Sequence, residues 1–417
     1  MKIEIITTGD EVMQGIIVDT NTSWIAAKCA PMGHEIVRHE SVGDDFDAIG
    51  DALTAAARRA ECVIVTGGLG PTADDMTVEA AARAFGVELV LHEEVLAEIR
   101  EFFGRVGRPM SSSNDKQALV PKGGVVLQNK VGTAPGIRSE LGGATFFFLP
   151  GVPKELYQIF DDSIIPWLKE RAATAYAEKV LRCFGIPEAS IDEKLQGVDL
   201  AGARLSFRVF FPEILLKLIA RDCDAEKAKA SVDRAAAAIR ERLSDVVYAE
   251  GTTTLAAVLG DQLKSRGLTL AVAESCTGGL IASLITDVPG ASTWFERGLV
   301  TYSNRSKIEM LGVPEEIVRE HGAVSKETAS AMAEGVRRIS GASIGIGVTG
   351  IAGPSGGTDA KPVGTVHIAV ATPDNTQVTS HCFSRDRIWF KQIVAWTALD
   401  MVRRNILKMN ASGTLVR

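Results

Sequence analysis

The chain has 417 residues, with 45 Lys+Arg against 52 Asp+Glu for a formal net charge of -7, and 46% hydrophobic and 23% charged residues. At ~100–200 residues per domain this length predicts two to four domains, and the composition is that of a globular chain. The acidic balance argues against wholesale nucleic-acid binding, which needs a basic footprint. It leaves room for a phosphorylated metabolite held by local groups and helix N-termini.

The chain opens as MKIEIITTGD, which reads as a strand and not as a leader. Over residues 1–171, strands expected at Ile3–Thr8, Glu35–Ser41, Cys62–Thr66 and Thr145–Leu149 alternate with helices from an Asn21 N-cap to Met32 and from Asp47 to Ala60. Short apolar strands separated by helices predict a doubly wound parallel α/β sheet. Residues 172–250 change character. Strands at Val180–Phe184, Leu205–Val209 and Ile214–Ile219 and helices at Glu188–Leu195 and Ala225–Leu243 predict a small α+β module. Residues 251–417 alternate again and predict a second α/β domain. Its strands are expected at Leu268–Ala273, Gly298–Tyr302, Ile344–Thr349 and Val366–Ala371, and its closing helix at Phe390–Lys408. No run approaches the ~20 apolar residues of a membrane span. The six cysteines include no CxxC pair, which implies reduced thiols, a cytoplasmic protein and no zinc site.

Three turns fall at expected strand ends in the first domain: Thr8–Glu11, Val42–Asp45 and Thr66–Asp75. Ligands of open α/β sheets bind outside the carboxyl ends of the strands. Glycines there let backbone N–H groups approach phosphate, and paired carboxylates beside phosphate point to a hard divalent cation. The segments TGDEVMQG, TNTSWIA, VTGGLGPTADDMT, NDKQALVPKG, GTAPG and LPGVPKE resemble, in order and spacing, the N-terminal domain of the CinA family, itself similar to molybdopterin-binding domains. The resemblance implies a metal-dependent ADP-ribose pyrophosphatase, with a pterin-binding module as the rival reading. It places a divalent cation on Asp74 and Asp75, with Asp10 and Glu11 as further candidates. Gly67, Gly68, Gly70 and Thr72 would cradle phosphate, and Asn114, Gln117, Thr133 and Gly136 would line the pocket. In the middle module, RCFGIPEASIDEKL resembles the family's KH-like linker. No GxxG backbone clamp is present there, so a spacer is expected and not an RNA site.

In the last domain AVAESCTGG, VPGASTWFERGLVTYSN, HGAVS, VTGIAGPSGG and KPVGTV resemble the CinA C-terminal domain, which is similar to nicotinamide mononucleotide deamidases. The resemblance implies hydrolysis of nicotinamide mononucleotide to nicotinate mononucleotide and ammonia, without a cofactor, by a homodimer. An amide hydrolase needs a nucleophile, a base and an oxyanion site. His367 lies within an expected strand and His381 beside a polar turn, so a Ser–His arrangement is poorly supported. A desolvated lysine can replace histidine. The family pattern designates Ser292 as nucleophile, Lys307 as base and Tyr302 as proton relay. Ser275 and Cys276 are the competing nucleophiles. The stretch Glu274, Ser275, Cys276, Thr277, Gly278 and Gly279 is expected to bind the phosphoribosyl group at a helix N-terminus. Thr349, Gly350, Ile351, Ala352 and Gly353 would line the pocket and offer oxyanion donors, and Arg387 would clamp phosphate. A binding or regulatory protein tied to DNA uptake or damage is the reading from a different class.

Overall fold

The computed structural model describes residues 1–172 and 174–408. Its first sheet takes β1 (Lys2–Thr8), β2 (Glu35–Val42) and β3 (Cys62–Thr66) from the first half of the N-terminal region. A short pair, β4 (Leu89–Leu91) and β5 (Leu119–Pro121), stands apart. Then β6 (Val125–Leu127), β7 (Gly136–Leu141) and β8 (Ala144–Leu149) complete the sheet in the order β2-β1-β3-β8-β7-β6. The four strands β2, β1, β3 and β8 run parallel, and β7 and β6 add an antiparallel edge. Ile3, Ile5 and Ile64 bury one face under the helix Thr20–Cys29, while Ile6, Val63 and Val65 bury the other under Phe46–Arg59. Strands covered on both faces read as continuous apolar runs, which is why β3 and β8 were legible. The helix Thr20–Cys29 is capped two residues earlier than expected. Asp19, not Asn21, accepts from the Thr22 amide at 2.9 Å.

The middle sheet, β9 (Ala175–Cys183), β10 (Arg204–Phe210), β11 (Glu213–Asp222) and β12 (Val247–Glu250), has the order β10-β11-β9-β12. By internal contacts the chain falls into two units. One comprises residues 1–178 and 219–232, and the other residues 179–218 and the stretch from Asp233 onward.

The second unit holds a five-stranded sheet of β13 (Leu270–Glu274), β14 (Phe295–Val300), β15 (Ile344–Gly350), β16 (Thr365–Ala371) and β17 (Thr376–Cys382), ordered β14-β13-β15-β16-β17. β13 lies parallel to both β14 and β15, and the last two strands are antiparallel. Leu270, Val272, Ile346 and Val348 face the helices Leu255–Ser265 and Arg387–Lys408. The opposite face carries small residues because the helix Lys326–Ser340 lies directly on it. A Cβ added at Gly345 or Gly347 would stand 2.2 or 2.3 Å from the backbone oxygens of Ala333 and Ala329. The alternating glycines of IGIGVTG therefore serve close helix–sheet packing. Among the described residues no helix is long and apolar enough to cross a membrane.

Candidate active site

The carboxyl ends of β13, β14 and β15 converge on a cavity of about 200 Å³. Ser275 and Cys276 line it from the turn after β13, Tyr302 from the end of β14, and Thr349 and Gly350 from β15. Lys307 enters from the helix Asn304–Leu311, whose start is fixed by a capping box between Ser303 and Ser306. Its side chain is buried, only 1% exposed. Lys307 Nζ lies 3.0 Å from Ser275 Oγ, 2.8 Å from the Thr301 carbonyl oxygen and 3.4 Å from that of Tyr302. No carboxylate pairs with it among the described residues. Burial pulls its pKa below that of an exposed lysine, with only the Cys276 thiol acting weakly the other way.

Ser292 is not brought to this site. It is exposed on the short turn Ala291–Thr293 that precedes β14, whereas Thr301 and Tyr302 follow that strand. Six extended residues at ~3.3 Å each put roughly 20 Å between the two ends. The expected pairing of Ser292 with Lys307 therefore does not form, and the hydroxyl that Lys307 touches is that of Ser275. Nor does the Tyr302 hydroxyl, expected to relay the proton, meet Lys307. That hydroxyl accepts from Arg387 at 2.8 Å, and Tyr302 meets Lys307 only through its backbone oxygen. The Cys276 thiol is pushed up to about 12 by burial, so it stays protonated and is a poor nucleophile.

The expected phosphate site at Glu274–Gly279 is already filled by the chain. Glu274, 1% exposed, accepts from the amides of Gly279, Ile281 and Ala282 at 2.9, 3.1 and 2.9 Å. A carboxylate at the start of the helix Leu280–Thr286 is the anion that this terminus favours. Glu274, Thr277, Gly278 and Gly279 thus shape the turn that presents Ser275 and do not line the cavity. Replacing Glu274 by Ala strands three amides, and unfolding in denaturant is expected to show a loss of about 2–4 kcal/mol, with Glu274→Gln losing less. Ile351 and Gly353 also stand outside the lining, although the Gly353 oxygen accepts from Arg387 at 2.8 Å.

Asn304, Ala323 and Val324 complete the cavity and were not singled out from sequence. The segment at residues 321–324, which supplies Ala323 and Val324 to the wall, is held by side chains. Lys361 Nζ donates to the oxygens of His321 and Val324, each at 2.8 Å. Thr328 Oγ1 donates to Gly322 at 2.7 Å, and Thr349 Oγ1 to Ala323 at 2.7 Å. Four consecutive carbonyls are thereby satisfied by side chains, and Ala323 and Val324 are the members of the segment that line the cavity. Thr349 accordingly fixes the wall with its hydroxyl.

In the first unit a cleft of about 660 Å³ opens at the carboxyl ends of β1, β3 and β8. Gly67, Gly68, Gly70, Gln117 and Thr133 line it as expected; Thr72, Asn114 and Gly136 do not. Thr72 bonds Asp75, Asn114 holds Gln117 at 3.0 Å, and Gly136 packs against Ile159 and Leu127. Gly67 and Gly68 adopt positive φ and abut Thr8 and Thr77, so packing alone requires them. The four carboxylates expected to hold a cation do not gather into one group among the described residues. Asp75 turns back onto the Thr72 amide at 2.9 Å, and Asp10 accepts from the Asp44 amide at 3.1 Å. Asp74 is exposed outside the cleft. Glu11 lines the cleft, but no three His, Cys, Asp or Glu side chains gather as a metal group among the described residues. Sequence reading missed Asn21, Asp19 and Glu155 in this lining. Glu155 is half-buried, with its pKa raised by burial against an opposing Asn129 hydrogen bond of 2.6 Å.

Comparison with known proteins matches residues 4–170 to a family described as probable molybdopterin binding domain, 178–249 to the damage-inducible protein CinA KH domain, and 252–406 to the CinA C-terminal domain. The CinA-like protein of Syntrophotalea carbinolica is 44% identical over 407 residues, 97% of this chain and 98% of that one. The chain belongs to the CinA family. A second CinA-like protein, from Geobacter sulfurreducens, is 44% identical over 411 residues, covering 98% of this chain and 100% of the relative. Among solved structures, a competence/damage inducible protein from Agrobacterium tumefaciens shares 41% identity, with a TM-score of 0.35, over 36% of this chain and 92% of its own. The Ser275–Lys307 pair and the wall at 321–324 both fall within the part matched to the CinA C-terminal domain.

Proposed function

We propose that this CinA-family chain hydrolyses the carboxamide of nicotinamide mononucleotide, with Ser275 as nucleophile and Lys307 as its base. The contact of 3.0 Å between the buried Lys307 Nζ and Ser275 Oγ carries the reading. A neutral lysine has two N–H bonds and one lone pair. The oxygens of Thr301 and Tyr302 take the two N–H groups, and the lone pair is left for the Ser275 proton. As that proton moves to Nζ, Oγ bonds to the carboxamide carbon. The amide of Cys276, which lies against its own thiol, sits one residue on and is the nearest backbone donor for the developing oxyanion. Lys307 then returns its proton to the amide nitrogen, the C–N bond breaks and ammonia leaves. Water, deprotonated by Lys307, cleaves the ester on Ser275, which yields nicotinate mononucleotide and restores the hydroxyl.

In this reading the pyridine ring lies against the wall formed by Ala323 and Val324. Arg387 spends two N–H groups on Gly353 and Tyr302 and retains others for the substrate phosphate. Purified protein is expected to release ammonia from nicotinamide mononucleotide equally with and without a chelator. No ammonia from folded protein would sink the reading. Removing the Lys361 donor, as in Lys361→Met, should raise KM several-fold with a smaller change in kcat, because it loosens a binding wall and not the reacting pair.

A second reading concerns the N-terminal cleft, whose volume suits a nucleotide such as ADP-ribose. Its lining holds the carboxylates of Glu11, Asp19, Asp75 and Glu155 and, among the described residues, no lysine, arginine or histidine. Backbone amides of the Gly67–Gly70 turn are then the donors available to a pyrophosphate. Calorimetric titration with ADP-ribose checks this, and Gly68→Val should abolish the binding heat.

A further inference from the structure

The final helix begins at Arg387, and both amides that follow it, of Ile388 and Trp389, donate to Asp386 Oδ1 at 3.0 Å. Two residues past Arg387, the Trp389 ring is held between aromatic neighbours. The Phe383 ring meets it edge-on, centroids 6.2 Å apart, and Phe383 in turn stacks on His381 at 5.2 Å. The Arg385 guanidinium lies 5.8 Å from its centroid. Its other aromatic partner comes from far away in the chain. Phe211, in the turn between β10 and β11 of the middle module, stacks on Trp389 with centroids 4.8 Å apart and planes 22° from parallel. The rest of that hairpin tip is open. Val209 is 59% exposed and Phe210 is 56% exposed, so the Phe211 ring is the tip's aromatic anchor on the last domain.

We propose that Phe211 is a positioning residue for the cavity. Through Trp389 it fixes the first turn of the final helix, and so the aim of the Arg387 guanidinium at the phosphate-bearing end of the substrate. This rests on the deamidase reading and adds to it. The middle module then contributes to substrate binding without touching substrate, which is more than a spacer does. Arg387 needs such support because it is exposed and starts a helix, where backbone hydrogen bonds are fewest. Its two fixed contacts, to Gly353 and Tyr302, hold the guanidinium end only; the stack holds the backbone from which it springs.

The experiment uses the full chain and steady-state ammonia release from nicotinamide mononucleotide. Phe211→Ala is expected to raise KM roughly three- to tenfold, the fold-change typical of a lost aromatic pair, with kcat nearly unchanged. Phe211→Trp should restore the parent KM, and Phe210→Ala, on the open side of the tip, should not alter it. With Arg387→Met already in place, adding Phe211→Ala should produce no further rise. An unchanged KM in Phe211→Ala overturns the proposal, as does an equal rise with or without Arg387. Failure of the deamidase reading would show differently, as absence of turnover in the unaltered chain.

Discussion

Ser275→Ala is expected to lower kcat for deamidation by at least about 10⁴-fold while the protein stays folded, because removing a nucleophile leaves only binding and oxyanion contributions. Ser292→Ala should turn over as the parent does, since that hydroxyl is exposed before β14, at the strand end away from Lys307. Cys276→Ala should keep most of the activity, because burial holds the thiol protonated. Its side chain is one wall of the cavity, so KM is the parameter expected to move. Steady-state assays on the three variants, each checked by circular dichroism, decide the matter. A dead Ser292→Ala or Cys276→Ala beside an active Ser275→Ala would reverse the assignment.

Lys307 carries the second large effect. General-base removal costs on the order of 10²–10⁴-fold, so Lys307→Met should lose at least that much in kcat. Lys307→Arg should fare no better, although it keeps length and charge. A guanidinium does not deprotonate in proteins and has no lone pair to take the serine proton. The pH profile has a definite sign. The base works as the neutral amine, so kcat/KM rises with pH and levels off once Lys307 has lost its proton. Burial lowers the Lys307 pKa from 10.5, so the plateau begins at lower pH than for an exposed lysine. Activity is lost as pH falls through that pKa. A profile that falls as pH rises through the same limb would contradict the role.

The sequence showed the architecture better than the chemistry. β3 and β8 announce themselves because strands buried on both faces are nearly unbroken apolar runs. β14 does not, since Phe295–Val300 is a half-exposed strand carrying Glu296 and Arg297. Its start was expected three residues late, at Gly298. That shift hid the fact that Ser292 and Tyr302 flank one strand from opposite ends, and the spacing of Ser292, Tyr302 and Lys307 then looked like a triple. The pairing of Ser275 with Lys307 depends on β13 lying parallel to β14, a non-local fact that no single segment encodes.

The same holds for the ion sites. Gly278–Gly279 ahead of a helix reads as an anion cradle, but Glu274 is the anion. The signal was present as a carboxylate just before the turn, where it can fold back onto the amides. Asp74–Asp75 reads as a metal pair, yet a short acidic side chain after Pro71-Thr72 also closes its own turn, as Asp75 does. Glu155 went unnoticed because LPGVPKE looks like an ordinary helix start with an acidic first turn. Its position in the cleft comes from the crossover that sets β8 beside β3.

The serine–lysine account is tested most directly by catching the acyl-enzyme. Protein quenched in acid during turnover of nicotinamide mononucleotide, then digested and mapped by mass spectrometry, should carry the nicotinate mononucleotide acyl group on the peptide containing Ser275, and no such adduct should form in Lys307→Met. An adduct on the peptide containing Ser292, or one that forms equally well without the lysine, would contradict it.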